Sequence, residues 1–81
     1  MERTLVDSSH ISSIGYENGI LEVQYVSGAV YTYTGISNSD YLNLMMSPSI
    51  GTALRSTIHQ EGVVGRIERS GVVREEDILQ L

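Results

Sequence analysis

The sequence has no cysteine, no lysine, a single proline, and tyrosine as its only kind of aromatic residue. Without cysteine, neither a disulfide framework nor a thiolate zinc site is open to it, and the composition suits a reducing compartment. No apolar run approaches the roughly 18 residues of a membrane span. The opening segment MERTLVDSSH lacks the basic-then-apolar order of a secretory signal. A soluble, cytoplasmic protein with no membrane partner is the expectation. The basic residues are five arginines, Arg3, Arg55, Arg66, Arg69 and Arg74, against ten carboxylates, for a net charge of −5. Such a chain offers no footprint for DNA and disfavours RNA, because counterion release by basic residues supplies most of the affinity for a polyanion. A small anion is a different matter, since a guanidinium matches a phosphate bidentately whatever the global charge. A chain of 81 residues is one domain. At this size folding buries only about 60% of the unfolded surface, and small domains commonly gain stability by assembling. A homo-oligomer is therefore expected.

The first half reads as strands. SHISSIGY, residues 9–16, is the first extended segment. It is followed by Asn18-Gly19, a hairpin signal because both residues tolerate positive φ. In ILEVQY, Leu21, Val23 and Tyr25 alternate with Glu22 and Gln24, the period of a half-buried strand. After Val26-Ser27-Gly28 comes AVYTYT, in which Tyr31 and Tyr33 share one face. The register of this second hairpin decides which face. A two-residue turn at Ser27-Gly28 sets the tyrosines opposite Gln24 and Glu22, on the polar side. A three-residue turn with Gly28 in the left-handed region sets Tyr31 opposite Val23 and Tyr33 opposite Leu21. The second register gives one apolar and one polar face, as a half-buried sheet requires. It predicts that both rings pack on the core and that their hydroxyls reach its edge.

Helix signals follow. Ser37 is an N-cap with Asp40 in the first turn. Tyr41, Leu44 and Met45 fall on one face, with Leu42 and Met46 beside it. Pro48 stops this helix, and Ser49 is the candidate N-cap of a second, in which Ile50, Leu54 and Ile58 recur at four-residue steps. The methionines are read as gap-filling core. Val63 to Arg69 reads as a further strand, and Glu75 to Leu81 as a short helix or arm. The fold class is thus α+β: a three-stranded antiparallel meander packed by two short helices, β-β-β-α-α, with an additional C-terminal strand and short helix or arm.

Catalytic chemistry finds little footing. Nucleophilic catalysis needs a base beside the nucleophile, and the serines outnumber the two histidines, His10 and His59, with no nucleophile-elbow glycines around any of them. Ser8, Ser9, Ser12 and Ser13 read as local backbone partners. His10, His59, Asp7 and Asp40 share no metal-ligand spacing. The run Glu75, Glu76, Asp77 sits where a helix would begin, so dipole compensation accounts for it. No catalytic residue, metal or cofactor is assigned, and no enzymatic activity is expected. The arginines are more suggestive. Arg66 and Arg69, three apart on a strand, are expected to face opposite sides. With Arg55 on the second helix they compose a candidate anion site, completed across a subunit interface. The competing account is ion pairing with Glu61, Glu68, Glu75 or Glu76.

The chain from about Val6 to Ile58 resembles the KTSC domain, a small module found alone in bacterial and phage proteins and at the C-terminus of some lysyl-tRNA synthetases. The resemblance is carried by VDSSHISSIGY (Val6 to Tyr16), LEVQYVSGAVYTY (Leu21 to Tyr33) with its central Tyr-x-Tyr, Tyr41-Leu42, and SPSIG (Ser47 to Gly51). It departs at Ser37, where relatives often carry proline, and at Leu54-Arg55, where they often carry an aromatic and asparagine. It implies a β-β-β-α-type domain over residues 1–60, leaving 61–81 as a C-terminal extension that packs on the domain or on a neighbouring subunit. Small phage proteins that soak up nucleotide immune signals are similar in size and architecture. Together these features give an expected function: a non-enzymatic, oligomeric binder that sequesters a small nucleotide-like anion, with Tyr31 and Tyr33 stacking on it and Arg55, Arg66 and Arg69 holding its phosphate. The alternatives are an RNA-binding accessory module, implied by the synthetase context, and a structural or protein-interaction module.

Overall fold

The computed structural model describes residues 1–70. Five strands, β1 (Arg3–Leu5), β2 (Ile11–Glu17), β3 (Ile20–Tyr25), β4 (Val30–Thr34) and β5 (Val64–Arg69), form one sheet in sequence order. All neighbours are antiparallel. Two helices, α1 (Asn38–Met46) and α2 (Ile50–Ile58), intervene between β4 and β5. The expected α+β architecture is present, with one more strand than the meander. The short β1 pairs Arg3, Thr4 and Leu5 with Gly15, Ile14 and Ser13. The helix or arm expected over Glu75 to Leu81 lies outside the described residues.

The hairpins form as their turn residues dictate. Asn18 and Gly19 have φ of 52° and 79°, a two-residue loop between the paired Glu17 and Ile20, in the mirror-image turn whose twist suits adjacent strands. The second hairpin takes the three-residue form. The amide of Tyr25 donates to the Ala29 carbonyl at 2.9 Å, and Gly28 has φ of 94°. Val23 then faces Tyr31 and Leu21 faces Tyr33. Leu21, Val23 and Tyr33 are buried in one cluster with Ile11, Ile14, Ile36, Leu44 and Leu54, so this face of the sheet is the core. Each fully buried aliphatic side chain contributes on the order of 1.5–3 kcal/mol.

The helices close that face. At the start of α1, Ser37 Oγ accepts the Asp40 amide at 3.0 Å, satisfying one of the donors a helix start leaves open. Leu44 is buried, and Tyr41 stacks on Tyr16 with centroids 4.5 Å apart and planes within 7°. The Tyr16 hydroxyl donates to the Ile36 carbonyl at 2.7 Å, fastening the entry to α1 onto the sheet. Met45 packs against the core as expected, whereas Met46 and Leu42 are exposed, at 81% and 51%. The two lie four residues apart on the side of the helix turned from the sheet, so Met46 fills no core gap. On α2, Ile50, Ala53, Leu54 and Ile58 meet the core, and the buried Thr57 hydroxyl donates to the Ala53 carbonyl at 2.8 Å.

Two glycines mark close approaches. Gly35, at φ 85°, lies against the backbone of Gly62, at φ 88°; a methyl on Gly35 would stand 2.5 Å from the Gly62 carbonyl oxygen. The residue leaving β4 for the helices thus touches the turn by which they return to β5. Gly65 is the cross-strand partner of Tyr33, and the tyrosine ring lies over it, 2.9 Å from where a Cβ would be.

The other face is polar. Arg3, Gly15 and Glu22 are successive partners across three strands, and because Gly15 has no side chain, Arg3 reaches over it to Glu22 at 3.1 Å. This is the one ion pair among the described residues, and none of the arginine pairings anticipated with Glu61 or Glu68 occurs there. Glu68 instead accepts a hydrogen bond from the Thr32 hydroxyl at 3.0 Å.

Candidate functional site

A concavity of about 620 Å³ opens between the loop joining β1 to β2 and α2. This volume lies within the roughly 300–1,000 Å³ of small-molecule sites. Its walls are Asp7 to Ile11 from the loop, Pro48 to Thr52 from the start of α2, and Leu54, Arg55, Ile58 and His59 further along, with Tyr25 reaching it from β3. Local bonding shapes both rims. Ser8 Oγ accepts the amides of His10 and Ile11, each at 3.3 Å, a side-chain turn that bends the chain into β2. The His10 carbonyl accepts the Val26 amide at 2.9 Å, holding the loop to the second hairpin. On the opposite rim, Ser47 Oγ accepts the Ser49 amide and donates to the Ser49 carbonyl, both at 3.1 Å. A Cβ on Gly51 would stand 3.9 Å from Ser8 Oγ, so the two rims approach each other there.

The helix contributes through its spacing. Gly51, Arg55 and His59 lie four residues apart, on one stripe of α2 and its cap. Ser49 occupies the N-cap position but makes no capping bond; its hydroxyl donates to Thr52 Oγ1 at 3.0 Å. The first amides of α2 therefore have no side-chain cap acceptor, and the partial positive charge of a helix start lies about a turn from Arg55. Arg55 is the only lysine or arginine on the lining, with Asp7 as the only carboxylate. The arrangement offers a bidentate cation, hydroxyls and open amides over an apolar floor of Ile11, Leu54 and Ile58.

A second, shallower groove of about 540 Å³ continues from the first past His10 and Tyr25 to Tyr31 and Tyr33, with Val26, Ser27 and Ala29 along its side. Tyr33 is buried, Tyr31 half-buried. Their rings are nearly parallel with centroids 6.1 Å apart, and Tyr25 meets Tyr31 edge-on at 5.6 Å. The hydroxyls of Tyr25 and Tyr33 are hydrogen-bonded to each other at 2.8 Å. Burial, and after it the hydrogen bond with Tyr25, pushes the Tyr33 phenol well above its ordinary range. The pair thus forms a core wall whose Tyr31 edge borders an open groove, rather than a bare stacking platform.

Of the five residues singled out in the sequence, Arg55 lines the cleft and the two tyrosines line the adjoining groove. Arg66 and Arg69 lie elsewhere, on the exposed strand β5. Their expected opposite facing is also corrected. A β-bulge shifts the register so that Arg66 pairs with Thr32 and Arg69 with Val30. Thr32 and Val30 are two apart on β4, so both arginines share the polar face. The helices that carry Arg55 cover the other face, and a single chain does not bring the three guanidinium groups together. Ser8, His10, Tyr25, Thr52 and His59 were not singled out as site residues. Ser8 and His10 stand in the segment VDSSH and His59 in the four-residue series Gly51, Arg55, His59, whereas nothing in the sequence marked Tyr25 or Thr52 as cleft residues.

A five-stranded antiparallel sheet with one face closed by a helical pair, and a cleft where the first inter-strand loop meets the second helix, defines a small α+β domain. The KTSC domain family model matches residues 7–61, over half of the chain, and the chain belongs to that family. A crystal structure of a KTSC domain protein from Yersinia pestis shares 30% sequence identity and superposes with a TM-score of 0.74, over 84% of this chain and 97% of the other. No curated protein matches the chain. Within the matched range, Asp7 to Ile11 and Pro48 to Gly51 line opposite rims of the cleft.

Proposed function

We propose that this chain is a non-enzymatic binding module that holds a small anionic, nucleotide-type ligand in the cleft between the Asp7–Ile11 loop and α2. The observation that carries this reading is the meeting of Arg55 with the uncapped start of α2 at a cleft of ligand size. A phosphate there takes the guanidinium fork and the open amides together, and a ring system extends along the groove toward Tyr25 and Tyr31. Retention rather than conversion is favoured because, among the described residues, no cleft hydroxyl is hydrogen-bonded to the side chain of His10, His59 or Asp7. Ser8 Oγ accepts two backbone amides, and Ser49 Oγ is turned to Thr52. Sequestration of a nucleotide signal is the role such a binder would serve.

The test is native mass spectrometry of the purified chain with a mixed panel of cyclic di- and trinucleotides and cyclic ADP-ribose isomers, repeated on three variants. The expected result is uptake of whole ligand masses, released intact on denaturation. Uptake should fall at least tenfold in Arg55→Ala, a charge-assisted contact being worth about 1.5–3 kcal/mol, and persist in Arg66→Ala and Arg69→Ala. Loss in the β5 variants with retention in Arg55→Ala would transfer the site to the polar face. No uptake of any member of the panel would overturn the nucleotide reading, and salt-sensitive binding of RNA would replace it with the accessory-module role.

A further inference from the structure

The two edges of the sheet are unequal. β1 is three residues long, whereas β5 runs for six, and every one of its residues is exposed. Val64 and Ile67 are 65% and 51% exposed. β5 contains neither proline nor lysine, and among the described residues nothing pairs with its outer edge. An edge of this length is a template for another strand, and its charged residues Arg66, Glu68 and Arg69 restrict which strand fits.

We infer that the outer edge of β5 pairs antiparallel with β5 of a second copy of this chain, joining two sheets into one of ten strands about a two-fold axis centred on Ile67. The register follows from charge. A two-fold normal to the sheet places one residue opposite itself and pairs the others symmetrically about it, with opposed side chains on the same face. Centring on Arg66 would oppose two arginines, and centring on Glu68 would oppose two glutamates. Centring on Ile67 sets Arg66 opposite Glu68 of the partner and Glu68 opposite Arg66, two complementary pairs, with the two exposed isoleucines together on the other side. The faces agree with this register. Arg66 is the cross-strand partner of Thr32, Glu68 is hydrogen-bonded to Thr32, and Ile67 is the partner of Tyr31 on the opposite face. Glu68 is the residue bulged out of the ladder with β4, and its side chain stays on the polar face with Arg66, as the Arg66–Glu68 pairing requires. The proposal is independent of the ligand reading, because the cleft lies wholly within one chain.

Sedimentation equilibrium of the full chain and its charge variants tests it. The wild type should be a dimer. Arg66→Glu and Glu68→Arg should each weaken association about tenfold, two cross-strand pairs turning repulsive in each case, and the double exchange R66E/E68R should restore it. The absence of cysteine supplies an orthogonal check. Ile67→Cys introduces the only thiol, and either spacing of opposed residues in an antiparallel pair, about 4.5 or 5.5 Å between Cα atoms, is within disulfide reach, so oxidation should cross-link the dimer. A monomer at millimolar concentration would overturn the inference. So would a dimer indifferent to both reversals that fails to cross-link.

Discussion

Replacing Gly65 with alanine tests the packing between β4 and β5 at its tightest point. The new Cβ would stand 2.9 Å from Tyr33 Cε1 and 3.0 Å from Cδ1. The ring has nowhere to retreat. Tyr31 lies nearly parallel to it, and its hydroxyl is tied to that of Tyr25. Overpacking of this kind costs about 1–3 kcal/mol. Against this, alanine restricts the unfolded chain, which is worth about 0.4–1 kcal/mol where the backbone tolerates it. The net expectation is a loss of about 1–2 kcal/mol, which for a domain of this size lowers Tm by roughly 4–8 °C per kcal/mol. Urea unfolding followed by far-ultraviolet circular dichroism gives the value. The decisive comparison is made in a Tyr33→Leu background. Without the ring the collision is gone and only the unfolded-state term remains, so Gly65→Ala should become neutral or stabilising. An equal loss in both backgrounds, or no loss in the wild type, would refute the account of Gly65 as the seat of the Tyr33 ring.

Two further outcomes follow from the same face and its loops. The folded state keeps Tyr33 protonated above the ordinary phenol pKa of about 10 while the unfolded chain releases the proton. Its contribution is therefore complete below that pH and is lost as pH rises beyond it, by up to about 1.4 kcal/mol per pH unit. Tyr33→Phe should lower stability at neutral pH by about 1 kcal/mol through the lost hydrogen bond, and the gap should close in urea titrations above roughly pH 10; parallel pH curves would contradict it. Gly35→Ala should cost more than about 2 kcal/mol, adding a backbone collision to the left-handed penalty, whereas Gly62→Ala, with nothing near its added methyl, should show only the penalty of about 1–2 kcal/mol. Thermal melts of the two variants distinguish them.

Where a local signal decides the structure, the sequence is legible. Asn18-Gly19 and Gly28 set the hairpins and their registers, and Ser37 caps α1 as its spacing to Asp40 predicts. What escapes is set by partners. Arg3–Leu5 is too short to show a period and becomes a strand only because β2 presents Gly15 to it. The bulge that turns Arg69 to the polar face is a property of the β4–β5 pairing, with no marker in VGRIER itself. Arg55, Arg66 and Arg69 were grouped by residue type, and of the three only Arg55 stands on the cleft. The cleft itself joins residues 7–11 to residues 48–59, and no periodicity links segments so far apart.

The contact of Gly35 with Gly62 has a mechanical consequence. The chain departs for the helices and comes back from them at practically the same point, so the helical pair is a closed excursion that begins and ends at one spot on the rim of the sheet. No strand pairing runs through that layer, and the ladder of the sheet is complete without it. One wall of the cleft belongs to this excursion and the other to the loop between β1 and β2. The helices are therefore held to the sheet by side-chain burial, with Leu44 and Leu54 in one core with Leu21 and Val23, and not by the ladder.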